Sequence, residues 1–341
     1  MAVTIKDVAK LAGVSPSTVS RVCNGNPAIS AETREKVREA MARLGYQQTS
    51  AAELQTEAGA HAIGIVLPPI DREAYDNPFF LKAIRGISQV CNQRQVICSI
   101  VTGEDYSEIL STVRLLHRSG RADGFVLLYS RRNDTVTEYL RQNGVLYVTV
   151  GKDLEPEGQT ISIDNDNLLA GREATDYLYS LGHRRIGYLG NRNDFLFAAD
   201  RRSGYQLSHL LHGLPIVEDY SVEMPTVTEE SVRVLTELLR REDRPTAFVV
   251  SDDMLVSALE RTCARLGLSV PGDVSMIAFD NSLYAHLLSP QLTSVDINSY
   301  RLGQEAATQL INHLENPGLM AAKILVPHRI VEGDTCRRIG E

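Results

Sequence analysis

The stretch from residue 4 to residue 46 constrains this chain more than any other. Thr4 stands where a helix cap is needed, and Asp7, three residues on, completes a capping-box pattern. Ile5, Val8, Ala9 and Ala12 recur at i, i+3, i+4 and i+7, so they share one helical face. Gly13 is suited to end that helix in the left-handed conformation. Ser15 then caps a second helix with Pro16 at its first position, where a missing N–H costs nothing. Val19 and Val22 face inward beside Val14, which leaves Ser17, Thr18, Ser20 and Arg21 outward. A third helix is expected after Ser30, burying Val37, Ala40, Met41 and Leu44 and stopping at Gly45. Helix, tight glycine turn and short polar-faced helix make the helix-turn-helix layout.

That outward face suits DNA. Small hydroxyls approach phosphates closely, and one arginine forks onto a guanine edge. Residues 1–46 carry a net charge of +3, whereas the remaining residues carry −11. A basic head on an acidic body is the asymmetry expected of a DNA reader with a separate control domain. The plain alternative is a three-helix packing module with a solvated polar face.

The run Val3-Thr-Ile-Lys-Asp-Val-Ala-Lys-Leu-Ala-Gly-Val-Ser-Pro-Ser-Thr-Val-Ser-Arg-Val22 resembles the opening of LacI/GalR-family regulators. So do Ile29-Ser-Ala-Glu-Thr-Arg-Glu-Lys-Val-Arg38 and Leu44-Gly-Tyr46. The resemblance implies phosphate contacts from Thr4, Ser20, Asn24 and Tyr46, and base-edge contacts from Pro16, Ser17 and Arg21, with Ser15 and Thr18 on the same surface. Pro16 and Ser17 offer little hydrogen-bonding code, so Arg21 must carry much of the direct readout. Residues 47–61 form a polar segment of small residues, which in the family is a hinge helix entering the minor groove beside its twin from a second subunit. Ala52 fits that pattern. Gln48, Thr49, Glu53 and Gln55 depart from it, and Leu54 falls one residue early for the groove-wedging leucine. One residue turns a helical side chain by about 100°, and Glu53 repels phosphates. A flexible linker is the competing expectation for this segment.

A length of 341 residues points to two or three domains. There is no run of 18 apolar residues and no charged-then-apolar leader after Met1, so a cytoplasmic protein is expected. The five cysteines, at 23, 91, 98, 263 and 336, are scattered without a Cys-x-x-Cys pair, and read as reduced thiols rather than a disulfide frame or zinc site. No metal or cofactor is expected.

From Ala62 onward the period changes. Strands are expected at Ile63–Leu67, Val96–Val101, Gly124–Leu128, Val145–Val150, Thr160–Ile163, Ile186–Leu189, Ala247–Val250 and Val274–Phe279. Between them lie helical stretches such as Leu81–Gln93, Tyr106–Ser119, Asn167–Leu181, Ser231–Arg240, Met254–Leu266 and Tyr300–Leu314. This alternation argues parallel sheets covered by helices, and the strands are too many for one compact sheet, so two α/β halves are expected. Ligands in such folds sit at the carboxyl ends of strands. The loops there hold Asn77 and Phe79, Tyr129, Lys152, Asp164, Arg201, Asp252 and Asp280. Carboxylates, an arginine, amides and flat aromatic faces are what a sugar needs. Taken singly, each has a plainer reading: an Asp after a strand is commonly a helix cap, and Asn77-Pro78 a turn.

The body resembles the same family in order, through Asn77-Pro-Phe-Phe80, Ile163-Asp-Asn-Asp166, Gly182-His-Arg-Arg-Ile-Gly-Tyr188, Arg201-Arg-Ser-Gly-Tyr205, Val270-Pro-Gly-Asp-Val-Ser275 and Ala278-Phe-Asp280. The resemblance implies a periplasmic-binding-protein-like body of two lobes, residues 62–164 with about 296–324, and 165–295 with about 325–341. It also implies an effector between the lobes, Arg201 and Asp280 as sugar-hydroxyl contacts, a homodimer on two operator half-sites, and in some relatives a phosphocarrier protein as co-repressor. Ser251 stands where some relatives place Asn. Asn77-Pro-Phe-Phe80 with Arg85-Gly-Ile-Ser-Gln-Val90, Val150-Gly-Lys152 and Ser294-Val-Asp-Ile-Asn298 are most like maltose-operon regulators of Gram-positive bacteria. The chain is expected to cross between lobes near 164–166, near 290–296 and near 325.

Signatures of enzymes are absent from the sequence: no P-loop, no Gly-x-Ser-x-Gly, no His-Glu-x-x-His. His183 reads as a structural turn residue. Asp252 and Asp253 are adjacent at a strand end, where neighbours point opposite ways, so a shared acid–base site is not expected. The reading is a dimeric sugar-responsive repressor; its rival is a cytoplasmic sugar sensor without effective operator binding.

Overall fold

The computed structural model describes residues 5–23, 29–44, 61–69, 77–152, 160–190, 195–224 and 227–340. The chain forms two compact units, Met1–Ala60 and His61–Glu341.

The first unit holds α1 (Ile5–Ala12), α2 (Pro16–Cys23) and α3 (Ala31–Leu44). Val8, Ala9, Val19, Val37 and Ala40 form its core, with Ile5, Ala12, Val14, Val22, Met41 and Leu44 packed around them. Gly13 turns the chain at φ +70°, where a side chain would be strained. Ser15 Oγ accepts from Thr18 N at 3.1 Å, so the expected cap of α2 is in place, and Ser30 Oγ accepts from Thr33 N at 3.3 Å at the start of α3. Thr4, Asn24, Gly45, Tyr46, Ala52 and Leu54 lie outside the described residues.

The second unit is built on two six-stranded sheets. The first comprises β1 (Ala62–Val66), β2 (Ile97–Val101), β3 (Gly124–Leu127), β4 (Leu146–Val150), β5 (Ile161–Asp164) and β11 (Lys323–Leu325), in the order β2-β1-β3-β4-β5-β11, all parallel. The second comprises β6 (Ile186–Gly190), β7 (Ser221–Glu223), β8 (Ala247–Val250), β9 (Ser275–Phe279), β10 (Thr293–Asp296) and β12 (Arg329–Val331), in the order β7-β6-β8-β9-β10-β12. Its last strand, β12, runs antiparallel to β10. Helices α4 (Pro78–Arg94), α5 (Tyr106–Arg118), α6 (Thr135–Gln142) and α12 (Ser299–Glu315) go with the first sheet; α7 (Asn167–Ser180), α8 (Leu196–Leu211), α9 (Glu229–Leu239), α10 (Val256–Leu266) and α11 (Leu283–Leu287) go with the second. Four cores result, one on each face of each sheet. Strand alternation assigns the sides: Val126 and Leu128 face one core, while Phe125, Leu127 and Tyr129 face the other.

Two differences from the sequence reading have local causes. Helix α4 starts at Pro78 rather than Leu81, because Asn77 Oδ1 accepts from Phe79 N at 2.9 Å and Pro78 supplies the preset φ of a first helical residue. The second crossing between lobes lies just beyond 290–296. Thr293–Asp296 are held as β10 between β9 and β12, and the chain leaves at Ile297-Asn298, where Asn298 turns at φ +57°. The other crossings follow Asp164 and surround Val326.

Each lobe clamps one helix pair through reciprocal glycines. A Cβ on Gly86 of α4 would lie 2.1 Å from Tyr300 O, and one on Gly303 of α12 would lie 2.0 Å from Ala83 O. In the second lobe, a Cβ on Gly171 of α7 would lie 2.2 Å from Arg201 O, and one on Gly204 of α8 would lie 2.1 Å from Leu168 O. The α7–α8 contact therefore fixes the backbone of Arg201.

Candidate effector site and nucleic-acid interface

On the head, Pro16, Ser17 and Arg21 are exposed, and Thr18 and Ser20 are half-buried. Ser15 Oγ lies 2.8 Å from both Ser17 Oγ and Thr18 Oγ1, so the start of α2 presents three linked hydroxyls. A helix N-terminus with hydroxyls and free N–H groups favours a phosphate, and Arg21 stands one turn further on. The structure thus brings Ser15, Pro16, Ser17, Thr18, Ser20 and Arg21 onto one short helix and its cap.

In the body, the carboxyl ends of the two sheets meet. Arg201, on α8, is 3% exposed. Its Nε donates to Asn167 Oδ1 at 2.9 Å, one terminal nitrogen donates to Ser251 O at 2.6 Å, and that nitrogen lies 3.9 Å from Asp280 Oδ1. The guanidinium lies over the rings of Phe279, at 4.2 Å, and Phe197, at 5.0 Å. Asp280 follows β9 at φ +90°, in a conformation that bulky residues avoid. Three buried acids crowd this corner. Asp252 Oδ1 accepts from Leu255 N at 3.0 Å, while Asp253 Oδ2 accepts from Ser282 N at 2.6 Å, so the two serve separate turns.

Burial pushes the Asp280 carboxyl up to about 7; Asp253 and Asp252 add to the rise and Arg201 opposes it. Burial likewise lifts Asp253 to about 6 and Asp164, at the end of β5, to about 7. One cation set against several acids leaves negative charge that burial disfavours, and hydroxyl donors relieve that cost.

The first lobe adds Asn77, whose side chain hydrogen-bonds toward Asp280 and holds that carboxyl down against the other influences. Phe79 packs against cores of both lobes. Lys152 Nζ reaches both carboxylate oxygens of Asp200 at 2.9 Å, Lys82 Nζ donates to Asn281 O at 2.7 Å, and Arg131 pairs with Phe195 in an antiparallel bridge. These contacts stitch the lobes together.

The profile described as bacterial regulatory proteins, lacI family, matches residues 4–48, and that of the periplasmic binding protein-like domain matches residues 175–336. The HTH-type transcriptional regulator MalR of Streptococcus pneumoniae is 32% identical over 340 residues, covering 97% of this chain and 100% of that protein. This chain belongs to the LacI family. A solved structure described as a LacI transcriptional regulator, from Bacillus cereus subsp. cytotoxis, is 33% identical and superimposes with a TM-score of 0.79 over 83% of this chain and 100% of that one. Transcriptional regulator CelR in complex with cellobiose is 27% identical, with a TM-score of 0.75 over 98% of this chain and 99% of that one.

Within this LacI-family body, Asn77, Phe79, Lys152, Asp164, Arg201 and Asp280 come together where the lobes meet, with Asp252 just behind Asp280. Tyr129 does not join them. It is 5% exposed and extends the alternation of β3 into the core, where its hydroxyl is buried beside Asp134 and its ring meets Tyr106 edge-on at 5.7 Å. Asn167, Phe197 and Lys82 also belong to the corner, and only the spacing around Arg201 hints at Phe197. Asp200, which precedes Arg201 in the same polar stretch of the sequence, belongs there too. His183 is 1% exposed, with Nδ1 2.9 Å from Thr246 Oγ1 and Nε2 3.2 Å from Arg337 O, and burial lowers its proton affinity, so it joins the start of β6 to the C-terminal segment. Among the described residues no helix is long and apolar enough to cross a membrane, and no group of three His, Cys, Asp or Glu is placed to hold a metal.

Proposed function

We propose that this LacI-family regulator is a repressor that binds its operator as a homodimer in the cytoplasm and releases it when a maltose or maltodextrin-type sugar enters between the lobes. It is not an enzyme in this reading. The carrying observation is Arg201, buried between two phenylalanine faces with the Asp280 carboxylate at 3.9 Å. A guanidinium and a carboxylate side by side meet neighbouring sugar hydroxyls as donor and acceptor, and the rings receive the C–H face. The full-length similarity to MalR, the cellobiose complex of CelR and the maltose-regulator motifs of this sequence support a glucose-based disaccharide. Two heads reading two half-sites require two-fold symmetry, which supports the dimer.

The test is operator binding with and without maltose at stated salt, using DNA from upstream of the protein's own operon. The expected result is specific binding that maltose releases. Binding tightened by maltose would reverse the sign of regulation. No specific binding, with maltose still taken up calorimetrically, would favour the sensor reading, which rests on Glu53 and Gln55 in the hinge segment. Adding a phosphocarrier protein to the same mixture tests for a co-repressor.

A further inference from the structure

Three segments of chain join the lobes, and one side chain bonds to the other two from within the first. Asn165 is 4% exposed. Its Nδ2 donates to Ile297 O at 3.0 Å, in the second crossing, and to Val326 O at 2.8 Å, in the third. Beside it, Val326 N donates to Asp164 O at 2.7 Å. Rotating one lobe against the other turns the backbone at all three crossings, so these bonds must be kept or broken together.

A second amide leads from this junction to the effector corner. Asn167, 3% exposed, donates from Nδ2 to Asp164 Oδ1 at 2.9 Å and accepts at Oδ1 from Arg201 Nε at 2.9 Å. Asp164 Oδ1 also accepts from Asn165 N at 2.8 Å. Hydrogen bonds therefore run unbroken from Arg201 through Asn167 and Asp164 to Asn165. A neutral amide can donate to a carboxylate and accept from a guanidinium at once. An aspartate at 167 would repel Asp164, and an alanine would bond neither partner.

We propose that Asn167 and Asn165 are positioning residues that couple occupancy of the Arg201 corner to rotation of the lobes. The proposal rests on a sugar binding there. A sugar hydroxyl that draws Asp164 or Arg201 towards itself competes with Asn167, and the strain passes to the junction that Asn165 holds. Sugar and operator then act on one two-state element, and each must alter the affinity of the other by the same factor.

The test uses the full chain as wild type, Asn167→Ala and Asn165→Ala. Maltose affinity is measured by calorimetry on the free and the operator-bound protein, and their ratio is the coupling. Asn167→Ala is expected to reduce that ratio tenfold or more toward one. An unchanged ratio, with maltose affinity lowered equally in both states, would show that the amide only orients Arg201 and would overturn the relay. Hydrogen exchange of the ligand-free proteins gives a second readout that needs no sugar. The Val326 amide is expected to exchange tenfold or more faster in both variants, while the Val249 amide at the centre of the second sheet does not change. Equal acceleration at both amides, or none at Val326, would overturn the proposal. If wild type takes up no maltose, the sugar reading falls, and the exchange result alone decides whether the junction is as described.

Discussion

The two lobes share one strand order and one way of clamping a helix pair, yet they hold charge in opposite ways. In the second lobe Arg201, Asp252, Asp253 and Asp280 are each 6% exposed or less. In the first, the cations that reach the seam are looser: the Lys152 side chain is 49% exposed, and Lys82 bonds only a carbonyl oxygen across the gap. A buried charge needs its partners fixed, because losing one strands the other in low dielectric. An exposed lysine can leave its partner and be solvated at little cost. The second lobe is therefore built to grip and the first to let go.

Removing the grip should have the largest effect. Arg201→Leu is expected to destabilise the protein by about 3–5 kcal/mol, since it leaves buried acids uncompensated, and to abolish sugar binding. Chemical denaturation and calorimetry check both. The double variant Arg201→Leu with Asp280→Leu should recover much of the stability and none of the binding; if it also recovers binding, the corner is not the effector site. Next comes the clamp behind it. Gly204→Ala drives a methyl group to 2.1 Å from Leu168 O and 2.6 Å from Arg172 N, so the helices must part. A loss of about 1–3 kcal/mol is expected, together with weaker sugar binding, because the same contact sets the Arg201 backbone. Gly86→Ala in the first lobe should cost similar stability while affecting sugar binding far less. Equal binding losses would erase the distinction between the lobes.

A smaller effect follows pH, and both lobes contribute to it. In the folded protein Asp280 titrates near 7 rather than at its ordinary 3.8, so between about pH 4 and 7 the native state holds a proton that the unfolded chain has released. Stability from this group therefore falls as pH rises through that window. Asp253, raised to about 6, and Asp164, raised to about 7, act in the same direction. Thermal unfolding of the ligand-free protein should show a higher midpoint near pH 5.5 than near pH 7.5, and Asp280→Asn should flatten that slope. The smallest change is expected for Lys152→Ala, below about 1 kcal/mol by the same denaturation, because its pair with Asp200 is half in solvent.

Much of this was legible in the sequence where the physics is local. The Ser15 cap, Gly13 and the inward valines of the head are fixed by neighbours a few residues away, and the structure holds them as the local pattern dictates. The eight expected strands all form, with ends shifted by a residue or so. Three-residue strands such as β7, β11 and β12 are too short to show a period. Arg201 and Asp280 could be singled out by family spacing. Tyr129 departs from the sequence expectation because the position after a strand can continue the pleat into a core as easily as open into a loop. Asn165 and Asn167 were invisible as a pair of links, since the partners of Asn165 lie 132 and 161 residues away and only the folded crossings bring them near.

The path of the chain through its two lobes also sets an order of assembly during synthesis. The head is contiguous, and its core is complete once Leu44 has been made. The first lobe is not, although its sheet begins at Ala62: its central core requires Leu302, Ala306, Ala307, Leu310 and Ile311 of α12, and its edge requires Lys323–Leu325. Five of its six strands must therefore wait, with an open apolar face, while five of the six strands of the second lobe are translated. A ribosome that stalls before residue 299 would present a finished DNA reader joined to an unfinished body, and it is that body, not the head, that chaperones must shield.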